Sequence, residues 1–182
     1  EAEKVNDFFV KLTEDAEEKF ALEFSALGGK FVYCADEQEM YQQLQALADT
    51  MKWGKIHCKD HFLLNLFREQ GIDLVAEGSD MSDIQVGLSQ CEALVARTGS
   101  VLLSAAQDSG RALPVYAPIH ITVAFANQLV WDIRDAFALM NEKYPNQLPS
   151  LITLTTGPSR TADIEKTLVV GVHGPKEVYV FF

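Results

Sequence analysis

No Cys-x-x-Cys pair, no Asn-x-Ser/Thr sequon and no uninterrupted run of 18 apolar residues occurs in this chain. Its cysteines, Cys34, Cys58 and Cys91, are odd in number and far apart. That pattern fits buried thiols in a reducing cytoplasm, and it leaves the chain without the thiolate cluster an iron–sulfur centre needs. The longest apolar candidate, Leu113 to Val130, is broken by Pro114, Pro118, His120, Thr122, Asn127 and Gln128, so no membrane insertion is expected. Basic residues are scarce as well. Fifteen Lys and Arg against 26 Asp and Glu give a formal net charge of −11, which repels nucleic-acid phosphates and anionic lipid headgroups. GxGxxG, GxxxxGK(S/T), GxSxG and HExxH are all missing, and with them the sequence support for dinucleotide, nucleoside-triphosphate, serine-hydrolase and zinc-protease chemistry. The opening Glu1-Ala2-Glu3-Lys4 has no apolar stretch and no initiator Met, and is read as a trimmed start rather than a signal peptide.

What is present is an ordinary globular composition. A chain of 182 residues buries roughly 70% of its unfolded surface, enough for one core, and 48% of the residues are hydrophobic, so a single globular domain over 1–182 is expected. Val5, Phe8, Phe9, Leu12, Ala16, Phe20, Phe24 and Leu27 share one helical arc, which predicts a leading helix over about 5–27, stopped by Gly28-Gly29. Phe31 to Cys34 reads as a strand, and Asp36 followed by Glu39 opens a helix with Met40, Leu44, Leu47, Ala48 and Met51 inward. The step repeats from Lys55–Cys58 through Asp60 to a helix burying Phe62, Leu63, Leu66 and Phe67, ended by Gly71 before a strand at Ile72–Val75.

Alternating strands and helices imply parallel pairing, whereas Leu94–Arg97 and Val101–Ser104 around Thr98-Gly99-Ser100 suggest a hairpin; the expected fold class is α/β with a mixed sheet. After a polar loop at Gln107–Arg111, Ile119–Phe125 reads as a buried strand. A helix capped by Asn127 follows, with Val130, Ile133, Phe137 and Met140 on one side and Pro145 and Pro149 beyond it. Strands at Leu151–Thr155, Leu168–Val172 and Val178–Phe182 complete the chain, the last apolar on both faces.

The densest candidate chemistry lies in Thr156-Gly-Pro-Ser-Arg-Thr-Ala-Asp-Ile-Glu165, a strand end running through a Gly-Pro turn into a possible helical turn. Gly157 frees backbone N–H groups to face an anion, Ser159 and Thr161 add hydroxyls, and Arg160 can grip a carboxylate or phosphate. The alternative is a tight connection in which Ser159 or Thr161 caps the turn and Arg160 pairs with Asp163 or Glu165. Asp163 and Glu165 share a face only in a strand, so a paired-carboxylate mechanism depends on the local conformation. His173, between Gly171 and Gly174, can be a general acid/base or a turn residue bonded to backbone. Arg111 and His120 bracket two prolines and can reach the same crevice or satisfy a local partner. His57, Cys58 and His61 have soft-ligand spacing, but a strand-helix boundary divides them and no fourth ligand is near, so no metal is expected.

Taken together, Ala96-Arg-Thr-Gly-Ser100, Arg111, Pro118-Ile-His-Ile121, the 156–165 segment and Gly171-Val-His-Gly-Pro175 resemble the LUD domain of bacterial lactate-utilization proteins. The resemblance covers essentially the whole chain. It implies a three-layer α/β/α fold like the NagB/RpiA/CoA-transferase group, and a role in oxidising L-lactate to pyruvate beside partner proteins that carry iron–sulfur clusters. This chain would be the cluster-free component, without a cofactor of its own. A small anionic metabolite would then lie against Thr98, Gly99, Ser100, Arg111, His120, Gly157, Ser159, Arg160, Thr161 and Gly174, with His173, Asp163 and Glu165 as catalytic candidates. An assembly or regulatory anion-binding module, and a stand-alone enzyme on a phosphorylated or CoA-linked substrate, are the alternatives. One departure stands out: the family has an acid before the Thr-Gly of the hairpin, where this chain has Arg97.

Overall fold

Asp36 and Asp60 open helices as their spacing predicts. Asp36 accepts from the Glu39 amide at 2.8 Å while Glu39 accepts from the Ala35 amide at 2.8 Å, and Asp60 accepts from the Leu63 amide at 3.1 Å. The computed structural model of the chain describes residues 15–72, 74–76, 83–164, 167–171 and 173–182, with 161–164 and 167–169 described by their backbone alone. In order, the first half holds α1 (Ala16–Ala26), β1 (Lys30–Val32), α2 (Glu37–Met51), β2 (Ile56–Cys58) and α3 (His61–Glu69). β3 (Val86–Gln90), β4 (Ala93–Val95), β5 (Ser100–Ser104), α4 (Leu113–Tyr116) and β6 (Ile119–Val123) follow. The chain ends with β7 (Leu129–Val130), α5 (Ile133–Lys143), β8 (Ile152–Thr155), β9 (Arg160–Ile164), β10 (Thr167–Val170) and β11 (Glu177–Phe181).

The parallel and antiparallel pairing expected of a mixed sheet is divided between sheets. Five parallel strands run in the order β1-β11-β6-β3-β2, and a second sheet runs β7-β4-β5-β8, with antiparallel β4-β5 and β5-β8 pairs. β9 and β10 form a separate antiparallel ribbon. Met40, Leu44, Leu63 and Phe67 of α2 and α3 pack against Leu88, Ile121 and Phe181 on one face of the parallel sheet. On its other face Val178 and Val180 meet Phe20 and Phe24 of α1 together with Leu94, Val101 and Leu103 of the second sheet. α5 covers the remaining face of the second sheet, Ala136 and Met140 lying on Ala93, Val95 and Leu102. Helices therefore flank the sheets as the α/β class requires.

Several local expectations are corrected. The leading helix is described only from Ala16, and the part expected from residue 5 lies outside the described residues. Phe62 and Met51, expected inward, are 51% and 43% exposed, because Leu63 and Phe67 set the buried face of α3 and Met51 sits in the last turn of α2. Among the described residues of 72–75, a single parallel bridge from Val75 to His57 takes the place of the expected strand. Asp132, rather than Asn127, caps α5, and Asn127 lies in a single 3₁₀ turn that leads into the two-residue strand β7. The stretch after Ser159 is strand β9, not a helical turn.

Candidate functional site

The last turn of α1 is the point on which two of the motif segments close. A Cβ added at Gly99 would lie 2.3 Å from the Phe24 amide nitrogen, and Gly99 has φ +58°, so the hairpin turn after β4 reaches the α1 backbone only as glycine. A Cβ at Gly157 would lie 2.7 Å from the Leu27 carbonyl oxygen. Arg160 donates from Nη2 to that same carbonyl. Between the two contacts runs a row of hydroxyls: Thr98 Oγ1 and Ser100 Oγ are 2.8 Å apart, and Ser100 Oγ and Thr156 Oγ1 are 2.8 Å apart.

The second pair of motifs is joined by backbone. The Ser159 amide donates to the Pro175 carbonyl at 2.9 Å and the Gly171 amide donates to the Ser159 carbonyl at 2.9 Å. Gly174 lies so close that a Cβ there would be 3.0 Å from that of Ser159. This joint presents His173 and Lys176 to a cleft of about 310 Å³, whose other walls include Val115, Tyr116 and Pro118. His173 and Lys176 are exposed, so the cleft offers an imidazole and an ammonium group to solvent on a chain of net charge −11. It lies at the amino ends of β6 and β11, since Pro118 and Lys176 immediately precede those strands.

The structure engages His120 and Arg111 away from this cleft. His120 is 3% exposed, and its Nε2 lies 2.9 Å from Ser89 Oγ between the sheets, where burial lowers its pKa to about 4. Arg111 donates to Ser150 Oγ. Thr161 and Asp163 lie in β9, and Glu165 falls outside the described residues. Among the described residues, no group of three His, Cys, Asp or Glu is placed to hold a metal ion. His57 is buried, and that burial, with Lys55 nearby, lowers its pKa. Arg97, where the resemblance leads one to expect an acid, donates from Nε to Asp132, the buried cap of α5, and so finds its counter-charge inside the fold.

Sequence reasoning missed a second concavity, at the carboxyl ends of β3 and β6. It measures about 600 Å³ and is lined by Phe62, Gln90, Glu92, Phe125, Asn127, Glu142 and Lys143, among others. Glu92 is buried and accepts from Ser104 Oγ at 2.6 Å, Lys143 Nζ at 2.7 Å and the Tyr144 hydroxyl at 2.9 Å. The available signal was an acid set directly before the apolar strand Ala93–Val95, a position that demands buried donors.

A family profile described as the LUD domain matches residues 17–182. Among curated proteins, lactate utilization protein C of Bacillus licheniformis is 36% identical over 98 residues, 52% of this chain and 41% of that protein. The protein of the same name from Geobacillus kaustophilus is 29% identical over 159 residues, 86% of this chain and 64% of that one. The chain thus matches less than half the length of the Bacillus licheniformis relative. Among solved structures, a DUF162-family protein from Deinococcus radiodurans aligns with TM-score 0.67 at 17% identity over 91% of this chain and 94% of that one, a likeness of fold.

Proposed function

We propose, on the premise that the chain belongs to the LUD domain family, that it is the cluster-free component of a lactate-oxidising system and binds a small carboxylate in the His173–Lys176 cleft. The observation that carries this reading is the joint between the two motif loops. Ser159 and Gly174 are locked together, and the lock leaves His173, Lys176 and Tyr116 around one cleft of about 310 Å³. That volume is at the lower end for ligand sites and suits a small metabolite.

Lys176 supplies a point charge for the carboxylate, and His173 can hydrogen-bond the substrate hydroxyl and take its proton. Arg160 positions the loop through Leu27 rather than gripping the anion. Oxidation of lactate to pyruvate also breaks the C2–H bond; iron–sulfur partner proteins would take up the two electrons, and the second proton would pass to water. The names of the similar proteins support a place in lactate use, and the absence of a clustered thiolate set in the sequence is why the clusters are assigned to partners.

Lactate-dependent electron transfer in the system reconstituted with partners co-purified from lactate-grown cells tests this. His173→Ala and Lys176→Ala should each slow it at least ten-fold with the fold intact; unchanged rates would overturn the assignment. A second reading, a non-catalytic module that senses a small anion, draws on the engagement of Arg160 by Leu27 and the burial of His120, which leave His173 as the histidine at the cleft. It predicts that the two variants weaken lactate or pyruvate binding while turnover persists.

A further inference from the structure

We propose that the crevice at the carboxyl ends of β2, β3 and β6 binds a planar, amine-bearing nitrogen heterocycle without a phosphate, a nucleoside of the adenosine kind. β2 and β3 are neighbours, yet their connections part. The chain leaves β2 for α3 on one face of the parallel sheet and leaves β3 for the second sheet on the other. Divergence of adjacent strand exits opens the crevice in which open α/β sheets take ligands. Here that crevice is the 600 Å³ concavity, large enough for a nucleoside.

Its walls are chemically specific. Phe62 stands half-exposed at the rim with its ring 5.9 Å from that of Phe125 and inclined 79° to it, an aromatic corner against which a flat ring can stack. Gln90 and Asn127 line the same space, and an amide presents donor and acceptor together, as the edge of a nucleobase requires. Gln90 is held from below by Asp60, its Nε2 donating to Oδ1 at 3.3 Å. The far wall is rigid, because buried Glu92 ties Lys143 and Tyr144 at the end of α5 to Ser104 at the end of β5.

Charge decides between a nucleoside and a nucleotide. Lys143 is paired with Glu92, so the carboxylate of Glu142 and the nearby Asp60 set the sign of the crevice, which favours an exocyclic amine and repels phosphate. Because this crevice and the His173 cleft lie at opposite ends of the parallel strands, the two assignments stand or fall separately.

Calorimetric titration of the whole chain with adenosine, inosine and AMP tests the proposal. Adenosine should bind, inosine, which carries a carbonyl in place of the amine, should bind more weakly, and AMP should bind at least ten-fold more weakly. Phe62→Ala alters an exposed side chain and should leave the melting temperature unchanged while weakening adenosine roughly ten-fold, in the range of one lost aromatic stack. His173→Ala should leave adenosine binding intact. No binding of adenosine up to its solubility, tighter binding of AMP, or an unaffected Phe62→Ala variant would overturn the proposal.

Discussion

Replacing Gly99 by alanine should unseat α1, and its cost can be divided into two parts. The first is conformational: with φ +58°, an alanine pays about 1–2 kcal/mol for the left-handed region. The second is spatial. The new methyl would stand 2.3 Å from the Phe24 nitrogen and 2.6 Å from the Glu23 carbonyl carbon, both main-chain atoms that no rotamer change can move. Relief requires α1 to shift, and with it Phe20 and Phe24, which are 1% and 0% exposed. Overpacking of this kind costs about 1–3 kcal/mol, so the sum is about 2–5 kcal/mol, or roughly 5–15 °C in Tm for a chain of this size.

Gly71 supplies the internal control. It has φ +75° and nothing within 4 Å of its added Cβ, so Gly71→Ala should cost only the conformational part. Urea unfolding of both variants, with m unchanged, measures the difference. Equal losses in the two variants would refute the reasoning that Gly99 is required by the approach of α1.

Three further outcomes are expected. His120 has a folded pKa near 4 against an ordinary 6.5, so the unfolded chain binds the proton more readily; stability is full above about pH 6.5 and falls by about 3 kcal/mol as pH drops towards 4. His120→Gln should flatten that part of the pH dependence in urea melts, and an unchanged slope would contradict it. Arg97→Glu places a second carboxylate against buried Asp132 and should destabilise by about 2 kcal/mol; adding Asp132→Asn, which keeps a capping oxygen, should recover most of the loss in thermal melts. For the thiols, burial, with Glu39 and Asp36, pushes Cys34 up to about 11, burial pushes Cys58 up to about 12, and it raises Cys91 further. At pH 8 in native protein a thiol reagent should therefore label Cys34 slowly and Cys58 and Cys91 only on unfolding, and rapid labelling of all three would contradict their burial.

The strand-to-helix steps were legible because each carries its own local marker: Asp36 with Glu39, Asp60 before Leu63, glycine after α1. Which strands share a sheet was not legible. Leu94 and Val101 have the same apolar pattern whether they extend the parallel sheet or pack on it, and only long-range pairing decides. β7 escaped notice because two residues carry no period, and its connection to α5 hid the Asp132 cap behind Asn127. At the candidate site, Ser159 and Gly174 were legible as candidates, whereas the joint between them, the turn of Arg160 towards Leu27 and the withdrawal of His120 to Ser89 depend on neighbours distant in the chain. Gln90 and Glu92 were overlooked because nothing local distinguishes a strand-end polar residue that lines a crevice from one that merely meets solvent.

The contacts that seat the motif loops on α1 fall on its main chain and on the Cβ that every residue but glycine carries: the Phe24 nitrogen and the Glu23 carbonyl carbon and Cβ under Gly99, and the Leu27 carbonyl under Gly157 and Arg160. Evolution can therefore exchange the side chains at 23 and 27 without the glycines registering it. Methods that infer proximity from correlated substitutions would find no partner for positions 99 and 157, and a designer grafting these loops onto another scaffold would have to reproduce the path of a helix rather than its sequence.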